Sequence, residues 1–367
     1  MVPLPSLAIL FLKLGALGFG GPAAHVVIMR QEVVARRHWL SDAEFLDLLG
    51  AANLIPGPTS TELALHIGFR LGGLLGLLLA GGCFILPSAI LVCFLAWLYQ
   101  TYGTLPQVSA VMRGVKPVVV AIVLDAVRGL AQKSLRSLPM LIVAVVAFVL
   151  AAAGMHQLLI LVLCGAVVVV LRIGRGTAQV ASSFMPVSLL AGGASQVGLL
   201  GLFGVFLKIG ATVFGSGYVL LAFLQSDLVD HLHWLTSKQL LDAVAVGQIT
   251  PGPVFTTATF IGFLLAGLNG AVVATIAIFL PGFVLAAASG PLIPRIRKSP
   301  IAGAFLDGVT VASIALIGWV LIVLGRATLV DPISVGIAVA SFVMLIRFRV
   351  NAAWLLAGAA LLGAFTR

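Results

Sequence analysis

Two short stretches could do chemistry in a chain that is otherwise oily: NLIPGPTST, residues 53 to 61, and QITPGPVFTT, residues 248 to 257. Each sets a glycine between two prolines, and proline lacks an amide hydrogen and clashes one turn back, so each corner breaks a helix. A helix that restarts there offers unpaired amide hydrogens and the positive end of its dipole. That is a ready-made seat for an anion. Thr59, Ser60 and Thr61 add hydroxyls beside Gly57, Thr256 and Thr257 do so beside Gly252, and Asn53 and Gln248 place an amide ahead of each corner. The competing reading is a plain turn between two helices.

Lys13 and Lys208 sit within apolar segments, where a lysine costs about 3 kcal/mol on insertion scales. Each either attracts an anion or snorkels to an interface. Gly20 and Gly21, in the GFGGP that follows Lys13, lack the strand and full spacing of a dinucleotide fingerprint and read instead as a kink or unwound turn lining a cavity. Glu62 follows the first corner where the second has Thr257. A carboxylate beside an anion must be neutralised by a base such as Arg70 or by a proton, which makes Glu62 and Arg70 candidates for coupling. Asp47 and Asp242 join them as gating candidates, with water at the membrane surface as the plainer account. His25 has no counterpart later in the chain and reads as a packed polar histidine.

The elements that carry these residues must be membrane helices. Of 367 residues, 61% are hydrophobic and 9% charged, with a mean hydropathy of +1.21, against about 25% charged in soluble proteins. No charged residue occurs between Leu71 and Met112 or between Pro251 and Pro294, and runs of about 20 apolar residues suffice to cross a bilayer. The net charge of +10 is scattered through short loops, which fits a cytoplasmic bias of Lys and Arg and argues against nucleic acid as a partner. Cys83, Cys93 and Cys164 lack metal spacing and read as small core residues. The N-terminus has no basic region or cleavage site of a signal peptide. Scattered histidines without a metal motif leave no basis for an enzyme, a metal or a cofactor.

The chain repeats itself. An offset of 195 residues carries FLKLGALGFGG onto FLKIGATVFGS, Asp47 onto Asp242 and the first proline corner onto the second. An offset of 194 then pairs Gly76 with Gly270 and Leu86-Pro87 with Leu280-Pro281. This is duplication of a unit of roughly 170 to 180 residues: 1–175, a linker 176–196, and 197–367. Corresponding loops carry opposite charge character, Arg30, Arg36 and Arg37 in one copy against Asp227 and Asp230 in the other, so the copies are expected to be inverted. Loop parity then leaves one net crossing for residues 42–101, and each corner becomes a re-entrant hairpin. The expected fold is an all-α polytopic membrane protein of two inverted-topology repeats, about five spans each plus one hairpin, about ten spans in all, with both termini outside. Gly68, Gly72, Gly76 and Ala80 favour one long helix after the corner, with a small-residue packing stripe.

These residues resemble the chromate ion transporter (CHR) family. FLKLGALGFGGPAAH, the following RQEVVARRHWLSDAEFLDLLGAANLIPGPTSTELALHIGF and the later FLKIGATVFGSGY with ITPGPVFTTATFIGF match its two domain patterns, in the fused two-domain form. Glu62 and Arg70 depart from it, standing where a glutamine and an aromatic residue are usual. The resemblance implies efflux of chromate, with sulfate as a close analogue, across the bacterial plasma membrane, commonly coupled to protons. Its partners would be the oxyanion and the lipid bilayer, and the choice between monomer and homodimer is open. Sulfate or other anion uptake or exchange is the alternative carrier, and an anion channel the alternative class.

Overall fold

The structure is a computed structural model that describes residues 2–19, 21–103, 105–173, 198–214, 217–288 and 299–365. Gly20, the linker 176–196 and the bases Arg175, Arg295, Arg297, Lys298 and Arg367 lie outside the described residues. Those described form helices, with no strand among them. The first half holds α1 (Leu4–Leu17), α2 (Gly21–Arg30) running on as a π-helical stretch (Gln31–Arg36), α3 (Asp42–Ala52), α4 (Thr59–Tyr102), α5 (Pro106–Ser134), α6 (Leu138–Ala152) and α7 (Gln157–Ile173). The second holds α8 (Leu199–Thr212), α9 (Val219–Leu224) with its own π-helical stretch (Gln225–His231), α10 (Ser237–Ile249), α11 (Thr257–Ala288), α12 (Pro300–Thr328), α13 (Pro332–Arg347) and α14 (Ala352–Phe365). Thr59–Tyr102, Val254–Ala288 and Pro300–Thr328 are long and apolar enough to cross a membrane.

Local chemistry sets the ends alike in both halves. Ser41 and Glu44 form a reciprocal capping box at the start of α3, and Thr236 and Gln239 form the same box at the start of α10. Such boxes satisfy two orphan amides at once. Both helices stop at the proline corners, where Gly57 and Gly252 take φ values of 133° and 88°, left-handed backbone that glycine adopts without a steric penalty.

The helix after each corner does not run straight on. At Gly72–Gly73 the backbone leaves helical geometry, with Gly73 at φ 60° and ψ −149°, and Ala266–Gly267 repeats it at 61° and −150°. The chain folds back there. Thr259 and Thr275 hydroxyls lie 2.7 Å apart, although a continuous helix would separate them by about 24 Å. Arg70, at the end of the returning arm, pairs with Glu44 at the start of α3 at 2.8 Å. The expectation of one long striped helix is therefore corrected. The small residues do permit close packing, but between two antiparallel arms of one hairpin: a Cβ on Gly68 would collide with the Gly76 carbonyl, and one on Gly262 with that of Gly270.

The expected first span also folds back. Lys208 on α8 lies 2.8 Å from Asp227 beyond α9, and Gly201 faces the Trp234 indole. In the first half, Leu10 and Lys13 line one cavity with Ile28 and Glu32, and Leu4 reaches the Gly72 turn. An apolar run of this length reads the same from sequence whether it crosses or turns at Gly18–Gly21. Each half thus begins with two helical hairpins rising from the same end of the bundle. The second arm of α4 and its counterpart in α11 pack antiparallel, with Gly81 against Phe283 toward one end and Phe94 and Trp97 lining one cavity with Leu268 and Val272 toward the other, so the two sets of hairpins rise from opposite ends.

Behind them, α5, α6, α7 and α12 pack through an apolar core that includes Val115, Ala147, Leu161 and Ile317. Glycines set the closest approaches, Gly114 against the Ala359 carbonyl and Gly308 against that of Cys164. Cys164 is buried, and Cys83 and Cys93 are half-buried.

Candidate functional site

Four hairpin tips meet in the middle of the molecule, and they exchange partners between the halves. The Gly57 amide donates to the Val213 carbonyl at 2.7 Å, and the Gly252 amide donates to the Gly18 carbonyl at 3.0 Å. Each proline corner is thereby tied to the turn that ends the first arm of the opposite half, at positions equivalent under the 195-residue offset. Pro56, Gly57 and Pro58 are buried, as are Pro251, Gly252 and Pro253. Gly21, at φ 74°, stands across from the Tyr218 hydroxyl.

The second crossing point is not symmetric. Ser88 and Thr256 share a hydrogen bond at 2.9 Å. The counterpart of Ser88 is Gly282, and the space its missing side chain leaves is filled by the carboxyl of Glu62, which lies between Gly57 and Gly282. Glu62 is 1% exposed. Of the two neutralisers open to it, a base such as Arg70 or a proton, Arg70 is engaged elsewhere: it is exposed and bound to Glu44, at the far end of the returning arm.

The two tips also differ in how their polar groups are satisfied. Thr256 and Thr257 donate to the carbonyls of Pro253 and Val254 at 2.8 Å each, so the second tip is internally closed. On the first tip, the hydroxyls of Ser60 and Thr61, Glu62 Oε2 and, one turn further, His66 Nε2 are buried without a partner, and so is Gln248 Nε2 opposite. Buried polar groups are normally paired, so these atoms set the first tip apart from the second. The amides are less available than a free helix start implies, because Gly57 and Gly252 are spent across the interface and those of Thr61 and Glu62 bond Pro58. Asn53 is exposed and accepts from Thr59 at 3.2 Å.

The charged candidates are distributed as follows. Lys208 is ion-paired with Asp227. Lys13 is exposed and opens on a cavity of about 70 Å³ with Glu32 on its wall. Asp47 is exposed. Asp242, a gating candidate, does not face water as the plainer account had it: it is buried, 2.8 Å from Lys116, and accepts from the Tyr99 hydroxyl at 2.8 Å. His25 packs edge-on against Phe84, and its Nε2 donates to the Gly18 carbonyl at 2.7 Å, as a packed polar histidine should. Sequence reasoning missed Glu32, Ser88, Tyr99, Lys116, Asp227 and Gly282. Glu32 and Asp227 were within reach, since the repeat offset carries one acid onto the other. Lys116 has no such signal, its counterpart being Thr310.

Comparison with known proteins places this geometry in context. A family model described as chromate transporter matches residues 5–170 and 200–364. A chromate transport protein of Cupriavidus metallidurans is 36% identical over 98% of this chain and 92% of its own length. A probable chromate transport protein of Synechococcus elongatus is 38% identical over 88% of the chain and 84% of its own length. A third, the chromate transport protein of Pseudomonas aeruginosa, is 31% identical over 91% and 85%. No solved structure gives a significant match.

Proposed function

The chain belongs to the chromate transporter family, and from that premise we propose that it exports chromate, or a tetrahedral oxyanion of like charge, from the cytoplasm by alternating access. Broken helices meeting between oppositely oriented repeats are the arrangement that secondary carriers use for midplane sites. The observation that carries the reading is the reciprocal pair of bonds from Gly57 to Val213 and from Gly252 to Gly18. It supports a centre built equally by both halves, one that a rocking of either half would remodel.

In this reading the four hairpins are re-entrant, two from each side, and the second arms of α4 and α11 cross the bilayer with α5–α7 and α12–α14. Arg30, Arg36, Arg37, Arg70, Arg128 and Arg172 then share one side, the cytoplasm of a bacterial plasma membrane. The first arm starts on that same side, so the N-terminus is assigned there, in place of the external position expected for a spanning first helix. The C-terminus stays external, so that these eight crossing segments require one further passage of the chain between Arg172 and Leu199. Ser60, Thr61 and Gln248 would donate to the oxyanion, and Lys13 would attract it from the cytoplasmic side.

Moving a charge through 100 mV is worth about 2.3 kcal/mol, so a dianion leaving a cell that is negative inside gains about 4.6 kcal/mol. Voltage alone suffices for export. A proton on Glu62 would assist binding and travel with the anion, so proton antiport does not follow from this residue.

Radiolabelled chromate flux in proteoliposomes, with voltage and pH gradients imposed separately, tests the assignment. Replacing Ser60 and Thr61 together with Ala removes two donors of the charge-assisted kind, about 1.5–3 kcal/mol each, and flux falls at least tenfold. Undiminished flux would remove the site from the first tip. Saturable counterflow separates a carrier from a channel.

A further inference from the structure

Each half sets a lysine on the first arm of its first hairpin and a carboxylate on the second arm, and the two pairs correspond under the 195-residue offset: Lys13 with Glu32, and Lys208 with Asp227. The pairs are in different states. Lys208 Nζ lies 2.8 Å from Asp227 Oδ2, with the aspartate 5% and the lysine 35% exposed. Glu32 is instead taken by Arg36 at 2.7 Å and Arg37 at 3.4 Å. Lys13 has no ion-pair partner among the described residues, although it shares its cavity with Glu32.

We propose that Asp227 and Glu32 are built-in counter-anions that compete with the transported oxyanion for Lys208 and Lys13, one lysine being masked while the other is bared. The inference rests on the oxyanion-carrier reading. A carboxylate offers an ammonium group the same oxygen acceptors as sulfate or chromate, so one must leave before the other binds. The mask also removes the cost of an unpaired ammonium within an apolar arm while no substrate is held there. Because the hairpins rise from opposite ends, the bared lysine marks the side from which anion can enter. In this structure that is the side of Arg30, Arg36 and Arg37. In the opposite state Glu32 turns to Lys13, and Asp227 releases Lys208.

The test uses the full chain in proteoliposomes with radiolabelled sulfate and chromate as probes. Asp227→Asn removes the competitor and lowers the KM measured from the Lys208 side by about three- to tenfold, while Lys208→Met raises it, the scale expected of a partly exposed ion pair. A pair that merely braces the hairpin predicts the same sign for both variants, and that outcome overturns the proposal. A second measurement needs no variant. An amine-reactive reagent modifies Lys13 of the unmodified protein faster than Lys208, and sulfate protects Lys13; equal rates would overturn the masking. If the unmodified chain carries neither oxyanion, the carrier reading itself falls. Flux with same-sign variants removes only the counter-anion role.

Discussion

Filling the space at Gly282 is the sharpest probe of the central crossing point. An added methyl would meet the Glu62 carboxyl, whose Oε1, Cδ and Oε2 are the nearest atoms to it. A carboxyl at the end of a flexible side chain can ordinarily step aside. This one has Gly57 on its other flank, where an added Cβ would meet the same Oε1 and Cδ, and the residue is only 1% exposed. Gly282→Ala is therefore an overpacking change worth about 1–3 kcal/mol. Glu62→Ala removes the collision, so the double variant recovers most of that loss. The coupling between them reaches at least 1 kcal/mol, well beyond the additivity error of about 0.3–0.5 kcal/mol. Thermal unfolding in detergent, followed by tryptophan fluorescence, reads all four species, and chromate flux on the same preparations tells whether the crossing point matters for transport. Strictly additive effects would mean that Glu62 does not occupy the Gly282 space.

Arg70→Gln breaks an exposed pair with Glu44, so stability hardly changes and the pH profile of transport stays put; a shifted profile would reconnect Arg70 with Glu62. Lys116→Met leaves the Asp242 carboxylate buried beside Tyr99 alone and costs about 3–5 kcal/mol, most of which returns in the Lys116→Met/Asp242→Asn double variant, as unfolding measurements would show. Gly73→Ala and Gly267→Ala place a side chain in backbone that glycine alone occupies readily, for about 1–3 kcal/mol each, while Gly82→Ala, whose added methyl meets nothing within 4 Å, is neutral and serves as the control.

Much of this was legible in the residues. The proline corners are local signals, and a helix of the structure ends at each. What sequence could not supply was direction. Gly72–Gly73 lies in an uncharged run, so nothing marks it as a reversal rather than another step in a stripe of small residues. The same holds at Gly18–Gly21, where the glycines mark an unwound turn without telling whether the chain goes on or folds back. Contacts across the halves were invisible for another reason. Asp242 finds Lys116, and Glu62 finds Gly282, at separations that no window along the chain can join. Only the Lys208–Asp227 pair lay open to inference, because duplication had preserved its chemistry at Lys13 and Glu32.

The unequal crossing points bear on how such a molecule could diversify. Were the two halves separate identical chains, one residue type would occupy both sites 62 and 257, and one would occupy both 88 and 282. A glutamate could then appear only if glycine appeared on both sides with it, and two carboxyls would enter the centre together. Covalent fusion lifts that restriction, so a single acidic group can be introduced in one half and accommodated by a lone deletion of side chain in the other.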